Sequence, residues 1–162
     1  MLSPDRYHSS VTAIDLADLQ RGGVRHLLID LDNTLMPRDS SEVPPDVRVW
    51  IDRLSDHGMS ACLVSNNWHA HVTSVAESIG LPIVAKALKP FPSAFRKGLR
   101  ELGGSAKHAA VIGDQIFTDV LGGNLLGMTT VLVAPQSTSD LPHTLVLRRL
   151  ERLVLAGREP LA

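Results

Sequence analysis

Leu27-Leu28-Ile29-Asp30-Leu31-Asp32-Asn33-Thr34-Leu35 is a short apolar run that ends in two carboxylates on alternate residues. A buried parallel strand is an expensive place to end in Asp30 and Asp32. The two repel each other, and desolvation adds to the cost. A cation, most simply a divalent one, offsets both terms. The spacing also lets the pair divide its work. One carboxylate can be held by the metal as a nucleophile while the other, two residues on, handles protons. The same letters also fit an Asp-rich turn after a strand, so the rest of the chain has to arbitrate.

Outward from this stretch, short apolar runs alternate with amphipathic ones. Strands are expected at Leu27–Ile29, Ala61–Val64, Ile83–Ala85, Ala109–Ile112 and Thr130–Val133. Between them, helices are expected at Asp46–His57, Trp68–Ile79, Ser93–Leu102 and Ile116–Leu126. Gly58, Gly80, Gly103-Gly104 and Gly127 fall where those helices should stop. One more helix, Ile14–Arg21, precedes the first strand, and Leu141–Leu155 closes the chain. This alternation predicts a doubly wound three-layer α/β/α sandwich around a five-stranded parallel sheet. With no repeat, low-complexity tract or linker, residues 1–162 are expected to form a single domain.

Composition narrows the class. Hydrophobic residues at 44% and charged residues at 20% describe a globular chain able to bury a core. A net charge of −1 provides no global field to recruit nucleic acid. The lone Cys62 lies inside an apolar run, which reads as a buried thiol in a reducing compartment. The start, Met1-Leu2-Ser3-Pro4-Asp5, has no signal-peptide pattern, and no apolar run approaches the ~18 residues that span a bilayer. The expectation is a soluble, cytoplasmic protein.

The layout puts every conspicuous polar group at a strand's carboxyl end, where open α/β sheets bind ligands. Ser65-Asn66-Asn67 follows one strand, Lys89 another and Gly113-Asp114 a third. A hydroxyl and backbone N–H groups at a helix start suit phosphate, although Ser65 also reads as a plain helix cap. Lys89, with Pro90 constraining the turn that follows, can offset the carboxylates and hold a phosphoryl oxygen, whereas Lys86 reads as surface. Gly113 permits close backbone approach, Asp114 suits a hard cation, and Asp119 lies about one turn further on. Mg²⁺ needs only one or two carboxylates; with no cysteine cluster and scattered histidines, zinc fits poorly.

The ordered set Asp30-x-Asp32-x-Thr34, Ser65, Lys89-Pro90, Gly113-Asp114-x-x-x-x-Asp119 resembles the haloacid dehalogenase superfamily of phosphatases. Ser65-Asn66-Asn67 and Thr118-Asp119-Val120-Leu121-Gly122-Gly123-Asn124 are similar to the YqeG-type branch of its subfamily IIIA, itself similar to phosphatidylglycerophosphate phosphatases. The resemblance implies an Mg²⁺-dependent phosphomonoesterase. Asp30 would attack phosphorus to form an aspartyl-phosphate, and Asp32 would protonate the leaving oxygen and then activate water. Ser65, Asn66 and Lys89 would hold the phosphoryl group. Asp30, the Asp32 carbonyl and Asp114 would bind the metal, with Thr34 and Asp119 supporting them from behind.

Many members of that superfamily carry a cap domain. Here 29 residues separate Leu35 from Ser65 and 23 separate Ser65 from Lys89, whereas a domain needs roughly 50. An open site without a cap is expected, suited to phosphate on something large such as a lipid head group, a protein or a nucleic-acid end.

Other signals weigh less. His69 and His71 are two apart in a predicted helix and should not share a face. Trp68 reads as packed or partly exposed, with substrate contact the alternative. In the last helix Arg148, Arg149 and Arg152 accompany Leu147, Leu150 and Val154. The favoured reading packs its leucines on the sheet; a peripheral membrane contact is the alternative. Two other functions compete: a signalling receiver domain, opposed because Lys89 precedes Asp114, and a catalytically weak interaction protein, opposed because no essential position is replaced. Oligomeric state is not legible.

Overall fold

The computed structural model describes residues 1–137 and 142–162, with the side chains of 142–148 excepted. Its centre is a sheet of six parallel strands: β1 (Arg6–His8), β2 (His26–Ile29), β3 (Ser60–Val64), β4 (Ile83–Val84), β5 (Ala109–Gly113) and β6 (Thr129–Val133). Their spatial order is β1-β6-β5-β2-β3-β4. From β2 the chain winds outward through β3 and β4, then returns to β5 on the other side of β2. Strand order therefore reverses between β2 and β5, in register Leu28 to Val111 and Ile29 to Ile112. That switch point is where such a sheet opens a crevice.

Six strands replace the five expected. The extra one is β1, paired with β6 from Arg6 to Val131 through His8 to Val133. Three residues with two polar side chains give too short a pattern to announce a strand; tertiary pairing on an open edge creates it.

The helices are α1 (Leu16–Arg21), α2 (Pro45–Asp52), α3 (His71–Ser78), α4 (Pro92–Glu101), α5 (Leu121–Leu125) and α6 (Pro142–Leu155). The expected α2 stops early, passing into a 3-10 turn at Ser55–His57 before Gly58 takes φ +63°. The expected helix start at Trp68 moves to His71. Asn67 prevents the earlier start: its Oδ1 accepts from the His69 N–H at 2.9 Å, a local turn that competes with helix. His69 thus lies outside the helix, and its ring stands 6.0 Å from that of His71, closer than helical spacing implied. Ahead of α5, Ile116–Val120 forms one π-helical turn.

One face of the sheet packs Leu27, Ile29, Leu63 and Ile112 with Val47, Trp50 and Val72 of α2 and α3. The other packs Leu28, Cys62 and Val111 under Phe95 and Leu99 of α4. Each such side chain contributes about 1.5–3 kcal/mol when fully buried. Gly122 makes room for this layer, since a Cβ there would lie 2.1 Å from Phe95 Cε2. Cys62 is a buried thiol, as expected, and burial pushes it up to about 11. Between β2 and β3 the chain inserts only α2 and its turns, and between β3 and β4 only α3.

In α6, Leu150, Leu153 and Val154 are exposed, which corrects the expected packing of Leu150 and Val154 on the sheet. Glu151 is buried instead, accepting from Ile116 N–H, and Leu155 packs partly buried against Ile116 and Leu132. Leu141 and the side chains of Leu147 and Arg148 lie outside the described residues. Among the described residues no helix is long and apolar enough to cross a membrane.

Candidate active site

The last hydrogen bond of β2, from Asp30 N–H to Ile112 O at 2.9 Å, anchors Asp30 at the switch point. Immediately after it the chain coils back. Leu31 O accepts from Leu35 N–H at 3.0 Å, and Asn33 N–H donates to Met36 O at 2.7 Å. Asn33 stands at φ +63°, a conformation asparagine tolerates better than most residues. This tight turn leaves Asp30, Asp32 and Thr34 all buried at the strand end.

Five strand-end groups converge there. Lys89 Nζ lies 2.6 Å from Asp30 Oδ1 and 2.7 Å from Asp119 Oδ1. Thr34 Oγ1 sits between Asp30 Oδ2 at 3.3 Å and Asp114 Oδ1 at 3.4 Å. Asp119 Oδ2 also accepts from the Gln115 N–H at 3.2 Å. Gly113 is obligatory for this arrangement, because a Cβ there would lie 2.2 Å from Asp119 Cγ.

Asp32 is held apart from that group. Its Oδ2 accepts from Asn67 Nδ2 at 3.0 Å, while Oδ1 is buried without a partner among the described residues. Asn67 is locked in turn, since its Oδ1 already accepts from His69 N–H. Ser65 Oγ accepts from Asn67 N–H at 3.0 Å. Asn66 clamps the lysine loop, accepting from Lys89 N–H at 2.7 Å and donating to Lys89 O at 3.2 Å. All the expected site residues thus lie along one sheet edge, while Lys86 is exposed as expected.

Proton affinity rises at three of these groups, for different reasons. Burial pushes the Asp32 carboxyl up, against the Asn67 hydrogen bond, and the Asp30 charge adds to the rise. Burial would drive the Lys89 ammonium toward neutrality, but the Asp119 and Asp30 carboxylates outweigh it and raise its affinity for the proton. Asp119 is pushed up to about 6 by burial, opposed by Lys89.

A cation fits the donor set. Asp30, Asp114 and Asp119 each offer a carboxylate oxygen within 4.8 Å of the others, all hard and all buried. Two residues on from Asp30, the buried Asp32 Oδ1 is a further oxygen acceptor without a partner among the described residues.

Three residues here escape the motif reading. Asn67 orients Asp32; its signal was the doubled asparagine after Ser65. Gln136 Nε2 donates to Thr34 O at 2.7 Å, and Ser137 Oγ to Asn33 Oδ1 at 2.6 Å. Both follow β6 at the same sheet edge, but polar residues after a strand are too common to single out.

Known proteins share this architecture. A family model described as HAD-hydrolase-like matches residues 87–150. The chain is 36% identical over 154 residues to the Bacillus subtilis (strain 168) protein named "Probable phosphatase YqeG", covering 95% of this chain and 90% of that one. Phosphatidylglycerophosphate phosphatase 1, chloroplastic/mitochondrial, of Arabidopsis thaliana is 29% identical over 152 residues, covering 88% of this chain and 43% of that one. Among solved structures, the cobalt-bound deoxy-D-mannose-octulosonate 8-phosphate phosphatase (YrbI) of Haemophilus influenzae superposes with a TM-score of 0.55. It shares 14% identity and covers 85% of this chain and 89% of that one. The chain belongs to the haloacid dehalogenase-like hydrolases, as a phosphatase of the YqeG type. The receiver-domain alternative falls with that membership.

Proposed function

We propose that this phosphatase hydrolyses phosphomonoesters through an aspartyl-phosphate on Asp30, with Asp32 as general acid and base. The observation that carries this reading is the unequal treatment of the two strand-end carboxylates. Asp30 is held on both oxygens, by Lys89 and Thr34, as a positioned nucleophile should be. Asp32 is pushed toward its protonated form by burial and keeps one oxygen without a partner among the described residues, as an acid should. An Asp30 oxygen attacks phosphorus, and the substrate oxygen leaves with the Asp32 proton. Asp32, now ionised, takes a proton from water as that water attacks phosphorus, which releases phosphate and regenerates Asp30. Ser65, Asn66 and Lys89 bind the phosphoryl oxygens. Asp30, Asp114 and the Asp32 carbonyl would hold Mg²⁺, with Thr34 and Asp119 supporting them; when bound, the ion neutralises the phosphoryl charge.

Replacing Asp32 with Asn tests the division of labour. The good leaving group of p-nitrophenyl phosphate needs little protonation, so Asp32→Asn should give a burst near one equivalent. Slow turnover follows, reduced by about 10²- to 10⁴-fold. Base-labile phosphate should be trapped on Asp30. Slow turnover without a burst or trapped phosphate rejects the assignment.

For substrate, we propose phosphate on a large or lipid molecule such as phosphatidylglycerophosphate. The short insertions around the site and the likeness to the plant lipid phosphatase support this reading. Higher efficiency on phosphatidylglycerophosphate in mixed micelles than on sugar phosphates is expected; equal efficiency removes the lipid reading. The lone buried Cys62 suits a cytoplasmic setting.

A further inference from the structure

Trp68, Leu88 and Phe91 are 72%, 68% and 65% exposed. They are not scattered. Trp68 follows Asn67, which orients Asp32, while Leu88 and Phe91 flank the Lys89-Pro90 pair. The two loops are one unit: Ala87 N–H donates to Ser65 O at 2.9 Å and Lys86 N–H to Asn67 O at 3.2 Å, beside the two Asn66–Lys89 bonds. These apolar side chains therefore stand on fixed backbone at the mouth of the site.

Two features say what covers them. Leu88 sits at φ +62° and Lys86 at φ +51°, left-handed conformations that side chains of this size rarely adopt. Strain of this kind persists where surrounding bonds impose it, and it clusters at ligand clamps. Here the bonds that present Lys89 impose it, and they leave a leucine turned to solvent on a fixed backbone. Charge is the second feature. Ser65–Ala76 and Leu81–Leu99 contain no Asp or Glu, yet carry the exposed Lys86, Arg96 and Lys97, while Lys89 is buried against Asp30 and Asp119. An indole, a phenyl and a leucine on stretches that expose cations and carry no carboxylate of their own match the interfacial zone of an anionic bilayer.

We propose that Trp68, Leu88 and Phe91 form a rim that inserts into the surface of an anionic bilayer and brings the site face-on to phosphomonoester headgroups there. The inference rests on the phosphatase reading of the site and adds where its substrate is met. Docking would raise hydrolysis of vesicle-borne substrate without altering chemistry on a soluble one.

The test uses phosphatidylcholine vesicles with and without phosphatidic acid. Trp50 is buried, so Trp50→Phe leaves Trp68 as the reporting indole. Its emission should shift to the blue on the anionic vesicles and be quenched by brominated acyl chains. The triple variant Trp68→Ser/Leu88→Asn/Phe91→Ser uses a residue tolerant of positive φ at 88 and a good helix cap at 91. It should lower vesicle partition by about tenfold or more while p-nitrophenyl phosphate turnover stays within about twofold. Val49→Ser, at an exposed apolar position of α2, should leave partition unchanged. A wild-type protein that fails to sediment with anionic vesicles overturns the proposal, as does a triple variant that partitions like wild type. Wild-type dimers that become monomers in the triple variant, without vesicle binding, would assign the rim to a second copy instead. Absent turnover of p-nitrophenyl phosphate strikes the phosphatase reading alone, because partition is measured without turnover.

Discussion

The two ends of one sheet treat polar groups in opposite ways. At the amino end, Asp5 Oδ2 accepts from Thr130 N–H at 2.8 Å and Thr130 Oγ1 at 3.1 Å, and His26 Nδ1 lies 3.0 Å from Ser60 Oγ. These groups pair with neutral partners, and the bonds tie the chain start and β2 to their neighbours. At the carboxyl end, Asp30, Asp32, Asp114 and Asp119 are all buried, and Lys89 is the buried lysine that answers them. One end completes its own bonds; the other keeps negative charge outstanding for a ligand. Stability and chemistry are therefore separable along the strands, and variants at the two ends should fail differently.

The largest effect should come from Asp30→Asn. Turnover should fall by roughly 10³-fold or more while circular dichroism shows the fold retained. Retention of a substantial rate would mean that the nucleophile lies elsewhere. Next comes Lys89→Met, which leaves Asp30 and Asp119 buried without their counter-charge. Breaking such a pair costs roughly 3–5 kcal/mol. Added Mg²⁺ should return part of that stability in urea titrations, and no rescue would argue that the carboxylates do not share a cation.

Amino-end variants should reverse the pattern. Thr130→Val removes the hydroxyl bonded to Asp5 and should cost about 1 kcal/mol in urea unfolding while kcat stays unchanged. An altered kcat would break the separation. The smallest effect concerns pH. Burial, then the neighbouring His108, lowers His26 below the ordinary 6.5, so the unfolded chain binds that proton more readily. Stability from this group is complete above 6.5 and is lost as pH falls through the depressed value. Urea midpoints on either side of 6.5 should show a smaller acid loss for His26→Asn than for wild type.

The separation also explains what was legible in the sequence. Strands rich in apolar residues announce themselves, so β2 to β6 and their carboxyl-end polar residues could be read directly. Gly58, Gly80, Gly103 and Gly127 all take positive φ where helices were expected to stop. The edge strand β1 has no such run. Asn67 reset the start of α3 through a side-chain bond that periodicity does not record. Leu150 looked like core from its spacing, but Glu151 and Leu155 make the inward contacts, and the spacing alone did not say which stripe of the helix would meet the sheet. The roles of Asn67, Gln136 and Ser137 depend on which loops meet, and only the folded chain brings them together.

Glu151 has a practical consequence. Its carboxylate accepts from Ile116 N–H at 2.6 Å, two residues beyond Asp114, so the last helix is wired to the loop that carries a candidate metal ligand. The neighbouring Leu153 points to solvent. A fluorophore attached at Leu153 would be a remote gauge of that loop, reporting cation loading from outside the pocket without touching any group that reacts.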